Sequence, residues 1–247
     1  MILVFDVDRS LASIGGPQAA EKIFGCPPVP ISGGLAEIKD VLRRLFRKQQ
    51  VRHKHPLLGT EHIEERLELR DEAKKLGLHT IVIDTLSIAA EQERVRIMQE
   101  RKLRTMDLQA WGQLTDTVMR FVQLLALLPI TVICNVHVDR SKDELGALLD
   151  VPAIKGSSKY DMGRCFDLIL YTVVERTREG RQWSWQTQPD PRRLLAKDRL
   201  GVLDERIPQD FSLALKPYRE RGIHPKVLVV GDSGHGKTYA LKTLKDL

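Results

Sequence analysis

The sequence predicts an α/β protein built on a mostly parallel sheet flanked by helices. Apolar, β-rich runs alternate along the chain with longer stretches of helical period. One such run, 226–230, passes directly into Gly231-Asp-Ser-Gly-His-Gly236-Lys237-Thr238, which fits G-x-x-x-x-G-K-[ST] at every position. Late in the chain, two runs joined by a turn at 176–181 add an antiparallel hairpin.

The elements follow in order. Residues 2–8 (ILVFDVD) read as a strand buried on both faces. Gly15, Gly16 and the segment 25–30 mark loops. Residues 34–50 have helical period, with Leu35, Ile38, Val41, Leu42 and Leu45 on one face. Residues 61–76 predict a charged amphipathic helix with i,i+4 acid–base pairs. A second buried strand, 79–84, ends in Asp84, and 88–127 read as one or two long helices with a break near Thr105 to Asp107. Residues 130–135 form a third strand entered through Pro129, while 138–160 are polar and carry no clear period. The strand 166–174 and its return, 182–188, make the hairpin, and 194–199 form a short strand with a basic tip. After the glycine-rich loop, 239–247 predict a helix. No internal repeat or linker divides the chain, so a single domain over 1–247 is expected.

Composition narrows the class. Hydrophobic content of 42% with 29% charge is that of a soluble globular chain. No apolar run approaches the ~20 residues that span a bilayer, so no membrane partner is expected. The N-terminus carries two acids within its apolar run and no basic segment, unlike a signal peptide. Cys26, Cys134 and Cys165 share no CxxC spacing, which argues against a disulfide framework or zinc site and for a reducing, cytoplasmic setting. A net charge of +6 leans towards a polyanionic partner. Arg43, Arg44, Arg47, Lys48, Arg52 and Lys54, with His53 and His55, cluster either as a phosphate-tracking surface or as a solvated face.

The chemistry is concentrated at strand ends. Glycines in 231–238 let backbone N–H groups converge on phosphate oxygens. Lys237 can neutralise the β- and γ-phosphates, and Thr238 can hold Mg²⁺ through its hydroxyl. Asp84 is placed either to support that metal or to cap the next helix. Asp6 and Asp8 share one strand face; one of them can orient or deprotonate an attacking water, or cap a turn. Asn135 and His137 can sense a γ-phosphate, although a lone histidine is more often structural. Lys197 and Arg199, two positions apart, read as surface charge or as groups reaching a neighbouring subunit's phosphates.

Read in the order 223–247 and then 1–222, the chain resembles the RecA/RadA superfamily of recombinase-type ATPases, above all compact phage-encoded members acting in single-strand annealing. The resemblance rests on Gly231–Thr238, on Val4-Phe-Asp-Val-Asp8, on Ile81-Val-Ile-Asp84-Thr, on Asn135 or His137, and on Lys197-Asp-Arg199. It implies a RecA-like P-loop core in circularly permuted order, with Leu213 to His224 bridging the original termini. It implies ATP and Mg²⁺ as ligands, with Gly231, Asp232, Ser233, Gly234, His235, Gly236, Lys237, Thr238 and Tyr239 binding nucleotide. Asp8 takes the place of the family's catalytic carboxylate, usually Glu, and is one methylene shorter.

Asp84 is then the metal-supporting carboxylate, and Lys197 and Arg199 act in trans, which implies a homo-oligomeric ring or filament. Single-stranded DNA is the implied partner. Its contacts fall in 88–108 (Arg94, Arg96, Arg101, Lys102, Arg104) and 139–164 (Lys155, Gly156, Lys159, Tyr160, Arg164). The alternatives are a helicase- or packaging-type motor on the same core, and a nucleotide-dependent switch that does not touch DNA.

Overall fold

Strands that are apolar on both faces need helices on both sides, and the chain meets this need with one large sheet. The computed structural model describes residues 1–247 apart from 10, 12, 13, 55–60, 143, 145, 155, 157, 179 and 247. The first half runs β1 (Ile2–Asp6), α1 (Gly16–Phe24), β2 (Val29–Pro30), α2 (Gly34–Leu45), β3 (Phe46–Lys54), β4 (Glu61–Leu69), α3 (Asp71–Lys75), β5 (Thr80–Asp84), α4 (Leu86–Glu100) and α5 (Leu108–Ala126). The second half runs β6 (Thr131–Lys142), β7 (Leu148–Pro152), α6 (Ser158–Asp161), β8 (Leu168–Thr177), β9 (Gly180–Gln186), β10 (Lys197–Asp198), β11 (Arg206–Pro208), α7 (Phe211–Arg219), β12 (Lys226–Gly231) and α8 (Lys237–Ala240).

The main sheet is ordered β11-β9-β8-β12-β6-β5-β1-β2, with β10 on β8 and β7 on β6. From β8 to β2 the neighbours along that order are parallel; β9, β10, β11 and β7 pair antiparallel. This confirms the α/β class and the late hairpin. It also seats the last strand of the chain, β12, in the middle of the sheet between β8 and β6.

Alternation along each strand sorts the core into two layers. Leu3, Phe5, Ile81, Ile83, Val132, Cys134, Leu228 and Val230 face α2, α4 and α5. Ile2, Val4, Val82, Ile133, Val227 and Val229 face α1, α7 and the C-terminal turns. At the sheet margin Trp185 is fully buried, its ring centroid 4.7 Å from that of Phe211. The segment 213–224 thus begins as a core helix, with Ala214, Leu215 and Tyr218 buried, rather than as a loose connection.

Two helix expectations fail. Helix α2 stops at Leu45, and 46–54 pair with 61–69 as an antiparallel hairpin outside the main sheet. Charges at alternate positions serve a strand as well as a helix. Lys48–Glu65 (2.9 Å) and Arg47–Glu68 (3.5 Å) form across the strands in place of i,i+4 pairs. Leu67 and Leu69 lean on the first core layer. The basic cluster of 43–55 is therefore matched by acids at Arg43 (Asp40), Arg47 and Lys48; His55 lies outside the described residues.

The expected helix over 239–247 is one α turn, α8, followed by 3-10 turns over Leu241–Asp246. There the Thr243 hydroxyl donates to the Ala240 carbonyl and accepts from the Phe211 N–H, so a side chain competes with the helical ladder. The unassigned stretch 138–160 contains an antiparallel extension, 138–142 on 148–152.

Two glycines make opposite predictions. A Cβ on Gly231 would stand 1.7 Å from Thr172 Oγ1, whereas one on Gly112, inside α5, meets nothing within 4 Å. Gly231→Ala is expected to destabilise by about 1–3 kcal/mol and Gly112→Ala to stabilise by about 1 kcal/mol, both read from urea denaturation midpoints.

Candidate functional site

The last strand ends where the sheet's other C-terminal ends converge. Gly231 pairs with His137 of β6, and the loop then turns through Gly234 (φ 76°) and Gly236 (φ 85°) into α8. Both angles are left-handed, which glycine adopts without strain. A side chain at Gly236 would also meet Gln209 Oε1 at 2.4 Å. Lys237, 5% exposed, donates from Nζ to the carbonyl oxygens of Gly231 (2.8 Å) and Asp232 (2.9 Å). Burial lowers its pKa, and the carboxylates of Asp84, Asp8 and Asp232 oppose that shift.

Asp84 is fully buried at the end of β5, where it is paired with Asn135 on one side and Asp6 on the other. Its Oδ2 accepts from the Thr238 hydroxyl at 2.8 Å, and its Oδ1 accepts from Asn135 Nδ2 at 3.0 Å. The cap of α4 is Thr85, whose Oγ1 accepts from the Ile88 N–H, so Asp84 is left to face the loop. Thr238 and Asp84 are hard oxygen donors of the kind Mg²⁺ takes, and the glycine cradle suits phosphate.

Asp8 lies just beyond β1, its N–H 3.4 Å from the Asp84 carbonyl. With Thr85, His137, Ser233, Lys237 and Thr238 it lines a cavity of about 250 Å³ over the loop. Asp8 and Lys237, 229 positions apart in sequence, thus share one cavity. Asp6 is 9% exposed and sits in register with Asp84. His137 faces the cavity while its backbone N–H donates to Ser87 Oγ at 2.9 Å. Burial and the nearby Lys237 lower its pKa, against Asp8, Asp84 and Asp232, which favours the neutral ring. Asn135 lies behind Asp84, within the sheet. Tyr239 is exposed at the loop's outer lip, and Asp232 pairs with Arg140 at 2.8 Å.

Other expected residues lie elsewhere. Lys197 and Asp198 pair with Ile169 and Leu168, and Leu168 is in register with Val227. That is four residues below Gly231 on β12, about 13 Å at strand rise. Lys197 Nζ donates to the Phe166 carbonyl at 2.8 Å, and Arg199 pairs with Asp167 at 2.6 Å. Neither lines the loop's cavity. Of the DNA candidates, Arg101 pairs with Asp107, Lys102 has φ 53° beyond α4, and Arg104 follows in the same loop. Lys159 lies over the Tyr160 ring at 5.2 Å, and Arg164 is exposed near Asp161. Arg94 and Arg96 pair with Glu91 and Glu93 on α4. Lys155 lies outside the described residues.

Residues not singled out in the sequence also build the site. Arg140 holds Asp232 from the β6 extension, a place hidden by the lack of period in 138–160. Gln209 donates to the carbonyls of Ser184 and His235, tying β9 to the loop, and no sequence signal marks it. Trp183 of β9 stands beside Gly236. Its signal was faint: an aromatic residue in a hairpin of a chain poor in aromatics.

A glycine-rich phosphate loop on the central parallel strand, with a buried aspartate hydrogen-bonded to the loop threonine, defines a P-loop nucleotide-binding domain. The chain belongs to the AAA domain family, whose model matches residues 1–200, and so is an ATPase-type domain. No curated protein and no solved structure matches it. Among the described residues, no helix is long and apolar enough to cross a membrane.

Asp84→Asn keeps the side chain's size and removes its charge. It is expected to weaken Mg²⁺-dependent ATP binding about 10- to 100-fold while leaving the thermal unfolding transition cooperative. Calorimetric titration with and without Mg²⁺ measures this.

Proposed function

We propose that the protein is a Mg²⁺-dependent ATPase with a RecA-like core that binds single-stranded DNA and works as an assembly of identical subunits. The observation that carries the nucleotide reading is the Thr238–Asp84 hydrogen bond, which joins the phosphate loop to the acidic end of β5 at 2.8 Å. In this reading the N–H groups of 232–238 and Lys237 bind the β- and γ-phosphates, and Thr238 with Asp84 holds Mg²⁺. When bound, the metal neutralises charge on the phosphates. Asp8 accepts the proton of the water that attacks the γ-phosphorus, and His137 orients the γ-phosphate from the cavity floor. Asn135 fixes Asp84 rather than touching nucleotide.

A circular permutation of a RecA-like order accounts for the placement of the loop. Two observations support it. β12 lies between β8 and β6 although it follows both in sequence. Leu241 and Leu244 share a core layer with Ile2 and Val4. Lys197 and Arg199, remote from their own subunit's cavity, would complete a neighbour's site.

A nucleotide-dependent switch that does not touch DNA is the second reading, favoured by the acid partners on Arg47, Lys48, Arg94, Arg96 and Arg101. Lys237→Ala is expected to abolish ATP turnover in a phosphate-release assay; retained hydrolysis refutes the site. Binding of a labelled single-stranded oligonucleotide should weaken steeply with salt, since phosphate contacts release counterions. No binding at low salt, with or without ATP, selects the switch.

A further inference from the structure

A second, larger cavity adjoins the phosphate cavity. It measures about 650 Å³ and shares Gly234, Gly236 and Tyr239 with it. The rest of its lining is Arg181, Gln182 and Trp183 of β9, together with Gln209 and Ala240. A volume in this range suits a small organic ligand. Trp183 is 44% exposed, and its Cδ1 would lie 3.5 Å from a Cβ at Gly236, so the indole sits directly against the turn that cradles phosphate.

The two aromatic residues at this cavity are not equivalent. Lys242 Nζ stands over the Tyr239 ring, 4.4 Å from its centroid, so a cation already occupies one ring face. Gln209 is also committed: its amide donates to Ser184 and His235, which holds β9 and the loop at a fixed spacing. Trp183 is therefore the broad π surface presented to a ligand whose phosphates lie on the loop.

We propose that the base of the bound nucleoside triphosphate occupies this second cavity and stacks on Trp183, with Gln209 as the positioning residue that sets the distance from stacking surface to phosphate loop. This rests on the nucleotide reading above and adds to it the residue that selects the base. Stacking rewards ring area rather than an edge pattern, so a purine triphosphate binds more tightly than a pyrimidine one.

Calorimetric titrations with ATP, CTP and inorganic tripolyphosphate, each with Mg²⁺, test the proposal on the wild type, Trp183→Ala, Trp183→Phe and Lys237→Ala. Trp183→Ala should weaken ATP at least about fivefold, the lower end of what one base–aromatic stack contributes, with tripolyphosphate unchanged. Trp183→Phe should recover most of the ATP affinity. The wild type should prefer ATP to CTP, and the gap should narrow in Trp183→Ala. Lys237→Ala should lose all three ligands. Unchanged ATP affinity in Trp183→Ala, or equal loss of ATP and tripolyphosphate, overturns the base site alone. A wild type that binds none of the three overturns the nucleotide reading itself.

Discussion

The site depends on a buried carboxylate that has to be satisfied. Asp84 is fully buried at a strand end, where an unpartnered charge would be strongly unfavourable. Its partners come from widely separated segments: Asn135 from the neighbouring strand and Thr238 from the loop near the end of the chain. Satisfying one side chain thus locks β5, β6 and the phosphate loop into a single arrangement. Breaking any of these contacts leaves a charge buried with fewer donors, which is more harmful than replacing the set by apolar residues. The same arrangement places Thr238 in the lining of the cavity over the loop. The constraint that organises the fold is therefore also the one that brings the loop threonine to the acidic end of β5.

Around that centre, the two sides of the loop are held by different means. On the sheet side, Gly231 is pressed so closely against Thr172 of β8 that no side chain fits. On the outer side, Gln209 and Arg140 tie the loop to β9 and to the β6 extension. The loop's shape is thus set by backbone packing below and hydrogen bonds above. The two cavities, of about 650 and 250 Å³, meet along the glycines between these supports. Lys197 and Arg199, held at the opposite end of β8 by Phe166 and Asp167, belong to a different part of the molecule from the loop's cavity.

The parts of the fold legible in sequence were those governed by local rules. Continuous apolar runs fixed β1, β5, β6, β8 and β12, because strands covered on both faces have no polar alternation. The loop was readable because its glycines and lysine are required at set spacings. Residues 46–50 and 61–69 misled because alternating charge satisfies helix and hairpin alike, and only cross-strand partners such as Glu65 and Glu68 decide between them. The terminal helix misled because Thr243 bonds to a residue from α7, a contact that no local pattern encodes. Asp84 was legible as a carboxylate in place, but its choice of Thr238 over the α4 cap became visible only in three dimensions. Gln209 and Arg140 were invisible for the same reason: each matters through a partner far away in sequence.

The central claim is that the segments around Asp8, Asp84 and Lys237 form one nucleotide site. Hydrogen–deuterium exchange of the whole protein, with and without Mg²⁺·ATP, tests it directly. The account predicts slowed exchange in peptides covering 231–240, 80–88 and 6–9 together. Protection confined to 231–240, or absent from all three, would contradict it.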